Sequence, residues 1–184
     1  MLPSVTLAAP ITIWTIGHST RPIEEFLGLL AEFRIEVIAD VRSYPGSRRY
    51  PQYGREALTA TLAAHTIGYH WLPSLGGRRR ASPDSPNGAW RNASFRAYAD
   101  YMSTAEFAQG LVQLLEIANR TRTAIMCSES VWWRCHRSMI ADALRVAGIE
   151  VLHILDAKHI AVHPMTSPAR IVDGALTYAT IEPN

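Results

Sequence analysis

Cys135 is followed by His136 and flanked by Arg134 and Arg137. A thiol near a helix N-terminus, beside an imidazole and guanidinium groups, is surrounded by influences that favour the thiolate. The chemistry this implies is nucleophilic attack, and the competing reading is a small apolar side chain that packs the start of a helix. Three further polar clusters stand at comparable places: His18-Ser19, Asp40-x-Arg42 and Cys127-x-Glu129. Arg42, Arg48, Arg49 and Arg137 offer forks suited to a phosphate or carboxylate, with the dipole of a helix N-terminus behind the anion. Their alternative use is internal pairing with Asp40 and Glu129. In a catalytic arrangement His18 or His136 moves protons, Asp40 or Glu129 orients the imidazole, and Cys135 is the nucleophile. Ser19 and Trp133 join the arginines as candidate ligand contacts. Trp132, Trp133 and Trp90 either stack on a base or serve as packing.

Several chemistries lack their pattern. Cys127, Cys135 and one of His18, His70 or His136 could meet a metal, but no pair has the spacing of a zinc knuckle or ribbon. The phosphatase loop Cys-x5-Arg fails because Trp133 occupies the arginine position counted from Cys127. There is no Gly-x-Gly-x-x-Gly and no Walker loop, so no dinucleotide or triphosphate cofactor follows from the sequence.

The elements that must carry these clusters are readable from periodicity. Ile11 to Ile16 is β-branched and aromatic and predicts a buried strand ending at Gly17. Ile23, Phe26, Leu27 and Leu30 then recur at helical spacing. Strands are predicted over Glu36 to Val41, Tyr69 to Leu72, Thr123 to Met126 and Glu150 to Leu155, and an edge strand over Ala175 to Ile181. Helices are predicted over Arg55 to His65, Ser94 to Met102, Phe107 to Ala118 and Met139 to Ala147. The third of these opens with a Ser103/Glu106 capping box, and the last is stopped by Gly148. Strands alternating with helices predict a single Rossmann-like three-layer α/β domain over residues 1–184, its mostly parallel sheet flanked by helices. Right-handed crossovers bring the carboxyl ends of the strands, and with them the four clusters, to one edge.

Composition bounds the function. With 184 residues, 48% of them hydrophobic, the chain suffices for one sizeable core. Residues 1–10 form an N-terminal extension without the features of a signal peptide, and 76–93 a long surface loop able to act as a lid. The net charge of +2 is too small for a dedicated duplex-binding protein. Lys158 is the one lysine among 18 basic residues; nucleotide-composition bias accounts for this more readily than selection for arginine. No apolar run approaches the roughly 18 residues of a membrane span, and two cysteines fit a reducing cytosol. The leading expectation is an enzyme-like site for a phosphorylated or otherwise anionic small molecule, a nucleotide among them. The rivals are a nucleic-acid-binding module using Arg78, Arg79, Arg80 and the tryptophans, and a non-catalytic interaction domain.

The chain resembles the family described as domain of unknown function (DUF) 488. The resemblance runs from Trp14 to Tyr178. It rests on Thr15-Ile16-Gly17-His18-Ser19-Thr20, Asp40-Val41-Arg42-Ser43 with Ser47-Arg48-Arg49 and Pro51-Gln52, Leu75-Gly76-Gly77, and Cys127 through Arg137. The branch it is similar to carries Glu-x-Val-Trp-Trp-Arg-Cys-His-Arg, matched here from Glu129 to Arg137. Tyr50 stands where that pattern usually has asparagine, and Tyr53 where phenylalanine is common. The resemblance implies a cytoplasmic, bacterial-type α/β protein and transfers no substrate.

Overall fold

The run Thr12–Gly17 (β1) alternates large apolar side chains between its two faces, and both faces are covered. A strand without a solvent face reads as a near-continuous apolar run, as this one does. The computed structural model describes residues 11–46, 48–80 and 82–180, so the extension 1–10 lies outside the described residues. After β1 come α1 (Ile23–Glu32), β2 (Val37–Asp40), α2 (Arg55–Ala64), β3 (Gly68–Trp71), α3 (Ala93–Tyr101) and α4 (Ala105–Ala118). The order continues with β4 (Thr123–Cys127), α5 (Arg137–Val146), β5 (Glu150–Ile154), β6 (Ile160–Val162) and a hairpin of β7 (Arg170–Val172) and β8 (Ala175–Thr177).

The main sheet has the order β3-β2-β4-β1-β5-β6; the first five strands are parallel and β6 is antiparallel to β5. Phe26 and Leu30 of α1 and Leu58 and Leu62 of α2 pack with Ile16, Ile38 and Met126 on one face. Tyr98, Phe107, Leu111 and Ile140, from α3, α4 and α5, pack with Ile13, Ala39 and Ile125 on the other. This is a three-layer, Rossmann-like α/β fold. Its connections leave the centre in opposite directions: β1 reaches β2 through α1 by skipping β4, and β4 reaches β5 through α5 by skipping β1. Right-handed crossovers moving in opposite directions place α1 and α5 on opposite faces. A crevice therefore opens between the carboxyl ends of β1 and β4, where ligands of such sheets sit.

Two expectations are corrected. The α4 N-cap is Thr104, whose side chain accepts from Phe107 N–H at 3.3 Å. Ser103 Oγ instead donates to the Asp100 carbonyl, closing off α3, so the capping box predicted at Ser103 and Glu106 starts one residue early. The tail strand does not extend the main sheet. Asp173 and Gly174, with φ of 50° and 77°, make the left-handed two-residue turn that pairs β8 with β7 alone. Between Gly76 and Asn92 no helix or strand forms among the described residues. The loop is nonetheless tied down: Ser85 Oγ and Asn87 Nδ2 donate to Asp100, and Ala89 N–H donates to the Tyr178 carbonyl. Among the described residues no helix is long and apolar enough to cross a membrane.

Candidate active site

The carboxyl ends of β1, β2 and β4 open into a cleft of about 750 Å³. Its edges are joined by backbone hydrogen bonds, since His18 N–H donates to the Cys127 carbonyl and Ser19 N–H to that of Ser128. Gly17 allows this approach, because a Cβ there would run into the backbone carbonyl of Glu129. Ser19 holds a left-handed φ of 48°, a conformation unusual for a residue with a side chain, and lines the cleft.

Two thiols lie on the cleft floor. Cys127 ends β4, Cys135 precedes α5, and their Sγ atoms are 2.8 Å apart. His136 Nδ1 is 3.4 Å from Cys135 Sγ, and its Nε2 is 3.1 Å from the Val41 carbonyl. A carbonyl can only accept, so Nε2 carries the ring proton and Nδ1 presents its lone pair to the thiol. Burial alone opposes a Cys135 thiolate. The hydrogen bond from the Cys127 thiol, the nearby His136 and the Arg137 guanidinium outweigh it and hold the Cys135 pKa well below its ordinary value. Cys127 goes the other way: burial, then its hydrogen bond to Cys135, raises its thiol well above the usual range. Once Cys135 has passed its proton to His136 Nδ1, the pair is a thiolate accepting from a thiol. Gly77 leaves room for the His136 ring, since a Cβ there would sit 2.5 Å from its Nδ1.

Arg137 lies beneath the floor rather than in the cleft. Only 1% exposed, it donates to Thr15 Oγ1 at 3.2 Å and to the carbonyls of Glu129 and Ser130, which fastens the loop between the two cysteines. Behind it runs a buried chain. Thr15 Oγ1 meets His153 Nδ1 at 2.7 Å, His153 Nε2 meets His163 Nδ1 at 2.9 Å, and His163 Nε2 meets Asp142 at 3.0 Å. Asp142 also accepts from Thr166 and Tyr178. Because a carboxylate only accepts, every proton in this chain points toward Asp142.

The wall formed by β1 and β2 is an ion pair with an imidazole in front of it. Arg42 Nε donates to Asp40 at 2.9 Å, Nη2 joins the same carboxylate, and Nη1 reaches the Tyr53 carbonyl at 2.9 Å. Tyr69 also donates to Asp40, which is fully buried. Arg42 Nη1 lies 3.3 Å from His18 Nε2; an arginine can only donate, so His18 carries its proton on Nδ1, toward the Ser19 carbonyl at 3.0 Å. The ring stacks on Tyr53 with centroids 4.1 Å apart. Burial, then Arg42, lowers the His18 pKa to about 4, and burial, then His163 and Arg137, lowers that of His153 to about 2.

Both rings are therefore neutral in the fold, whereas the unfolded chain protonates them below 6.5. In the window from 6.5 down to about 4 the unfolded state binds more protons, so stability falls as pH falls. Each ring contributes a slope of about 1.4 kcal/mol per pH unit. Denaturant unfolding at a series of pH values is expected to show this decline, and His18→Gln to flatten it by one proton; an unchanged slope in the variant would contradict the assignment.

The sequence-predicted residues thus divide. His18, Ser19, Arg42, Arg49, Glu129, Cys135 and His136 all line the cleft. Asp40 and Arg137 are buried behind it, and Arg48 and Trp133 are exposed outside the residues that line it. Asp40 orients Arg42 rather than an imidazole. Glu129 holds the site through its backbone, and no described residue bonds its carboxylate. Both His18 nitrogens are engaged, which leaves His136 as the ring facing the thiol. Arg78 and Arg134 also line the cleft, while Glu129 is the one carboxylate among its described lining residues. Arg134 was legible as a neighbour of Cys135; Arg78 follows the Gly76-Gly77 pair that admits His136. Among the described residues no group of three or more histidine, cysteine or acidic side chains is placed to hold a metal ion.

Residues 22–144, about two-thirds of the chain, match the family model described as Domain of unknown function DUF488. The chain belongs to the DUF488 family. No curated protein and no solved structure matches it. The match leaves β1 with His18 and Ser19 just ahead of its first residue, yet in this DUF488 protein that strand supplies one side of the cleft, and Arg42, Cys135 and His136 fall within the matched residues.

Proposed function

We propose that this DUF488 protein is an enzyme in which Cys135 attacks a small anionic substrate bound in the cleft. One observation carries the reading: the Cys135 thiol opens to the cleft between a second thiol at 2.8 Å and the proton-accepting Nδ1 of His136 at 3.4 Å. A nucleophile beside a base whose other nitrogen is fixed by a carbonyl is the arrangement nucleophilic catalysis needs. His136 accepts the thiol proton and returns it to the leaving group. Arg49, Arg78 and Arg134 around the opening, with Glu129 as the single opposing carboxylate, favour a phosphate, carboxylate or sulfonate. Phe95 and Tyr50 give the same cleft aromatic side chains, which suit a nucleotide among such anions. The free thiols fit a reducing compartment such as the cytoplasm.

A second reading is supported by Tyr44, 73% exposed with the Arg78 guanidinium 5.6 Å from its ring centre. A cation and an aromatic face together can take a single-stranded nucleic acid. Native labelling separates the readings. At neutral pH iodoacetamide is expected to alkylate Cys135 and spare Cys127, and inorganic phosphate or ATP to slow that alkylation and raise the melting temperature. Labelling of neither cysteine before unfolding would refute the nucleophile. Oligonucleotide binding that collapses with salt, without protection of Cys135 by small anions, would favour the second reading.

A further inference from the structure

A nucleophile acting alone does not need a second thiol in contact with it. Cys127 is fixed by β4, its Sγ accepts from Glu129 N–H at 3.3 Å, and it meets Cys135 at 2.8 Å. A disulfide bond is about 2.05 Å long, so the sulfurs need approach by less than about 1 Å to be joined. The loop between the two residues is closed at its base by Arg137, which binds the carbonyls of Glu129 and Ser130 and so keeps the sulfurs together.

Resting on the reading of Cys135 as nucleophile, we infer that Cys127 is its resolving thiol and that the cleft reduces small anionic disulfides by thiol–disulfide exchange. Cys135 gives its proton to His136 Nδ1, and its thiolate attacks one sulfur of a disulfide R–S–S–R. The S–S bond breaks, the first R–S⁻ leaves and takes the proton from His136 as RSH, and Cys135 holds the other half as a mixed disulfide. Cys127 Sγ then attacks Cys135 Sγ. The Cys127–Cys135 disulfide forms, and the second R–S⁻ leaves with the Cys127 proton. The substrate gains two electrons and the cysteine pair loses two; a thiol or dithiol reductant, dithiothreitol in the test tube, restores the pair.

The order of attack follows from the two environments. Cys135 is the sulfur with the base beside it, whereas Cys127 is held as a thiol until the neighbouring sulfur becomes its electrophile. The anionic class follows from Arg49, Arg78 and Arg134 around the opening.

The test uses the full chain and dithiobis(nitrobenzoate), an anionic disulfide whose released thiolate is coloured. The wild-type chain, whose two cysteines are this pair, is expected to release two equivalents and to retain no adduct. Its mass should fall by two hydrogens, and peptide mapping should join Cys127 to Cys135. Cys127→Ser is expected to release one equivalent and keep the mixed disulfide on Cys135; Cys135→Ser is expected to react about 100-fold more slowly. Far-UV circular dichroism establishes that each variant is folded. Raising salt should slow the wild-type reaction more than that with the uncharged dithiodipyridine. A wild-type adduct that persists on Cys135 would overturn the resolving role and leave the nucleophile standing. Failure of Cys135 to react before unfolding would overturn both.

Discussion

Asp40→Ala is expected to cost about 3–5 kcal/mol of unfolding free energy, because it leaves the Arg42 guanidinium buried without its counter-charge. Asp40 is fully buried and accepts from Arg42 Nε and Nη2, from the Arg42 backbone N–H at 3.0 Å and from Tyr69 at 2.7 Å. The neighbouring imidazole cannot help, since His18 already offers Arg42 its only lone pair. Replacing both members by apolar residues of similar volume, Asp40→Leu with Arg42→Met, should cost less than Asp40→Ala alone, because no charge is then stranded. Denaturant midpoints of the single and double variants check this. A single variant within about 1 kcal/mol of wild type, the level of an exposed ion pair, would show the carboxylate to be dispensable.

Arg42 and Arg137 also show where the sequence stops speaking. Each letter offers the same fork, and spacing cannot say whether it faces a ligand or the chain's own acceptors. Here Arg42, two residues after Asp40, folds back onto that carboxylate at the end of β2, and the return of the chain from β4 into α5 puts Arg137 under the Glu129 and Ser130 carbonyls. These contacts are local in sequence, but the carboxylate is also held by Tyr69 on β3 and Arg137 by Thr15 on β1, which are distant. The strands were legible for a different reason: burial on both faces of β1, β2 and β4 calls for near-continuous apolar runs, and the sequence contains them, with Thr15 and Asp40 among the polar exceptions. Convergence of His18, Arg42 and Cys135 was legible too, since parallel strands put all their carboxyl ends on one edge. The contact between Cys127 and Cys135 was not. Eight positions apart, with neither helical nor strand spacing, they meet only because the intervening loop is tied back at its base. The chain from Thr15 through His153 and His163 to Asp142 was equally hidden, because its members come from β1, β5, the segment after β6 and α5.

The reactivity proposed for Cys135 is expected to fall when His136 is removed. His136→Ala removes the acceptor at 3.4 Å and the positive charge it forms, while Arg137 and the Cys127 thiol stay in place. The Cys135 pKa is then expected to climb back toward the ordinary cysteine value of about 8.5. In the wild type the Cys135 pKa is held well below its ordinary value, so alkylation by iodoacetamide should lose less rate as the pH is lowered than alkylation of a free thiol does. In the variant the rate should fall between about 10- and 100-fold at weakly acidic pH and recover toward the wild-type rate above about pH 9, where the thiol ionises without help. A merely structural His136 would lower the rate equally at every pH or expose Cys127 as well, so the shape of the profile, with mass spectrometry to locate the label, decides between the roles. The edge of the ring toward Tyr98 and its Nε2–H on the Val41 carbonyl are what hold that acceptor in line. His136 is thus positioned by Tyr98 and the Val41 carbonyl, and Cys135 by a loop whose anchor is the arginine buried beneath it.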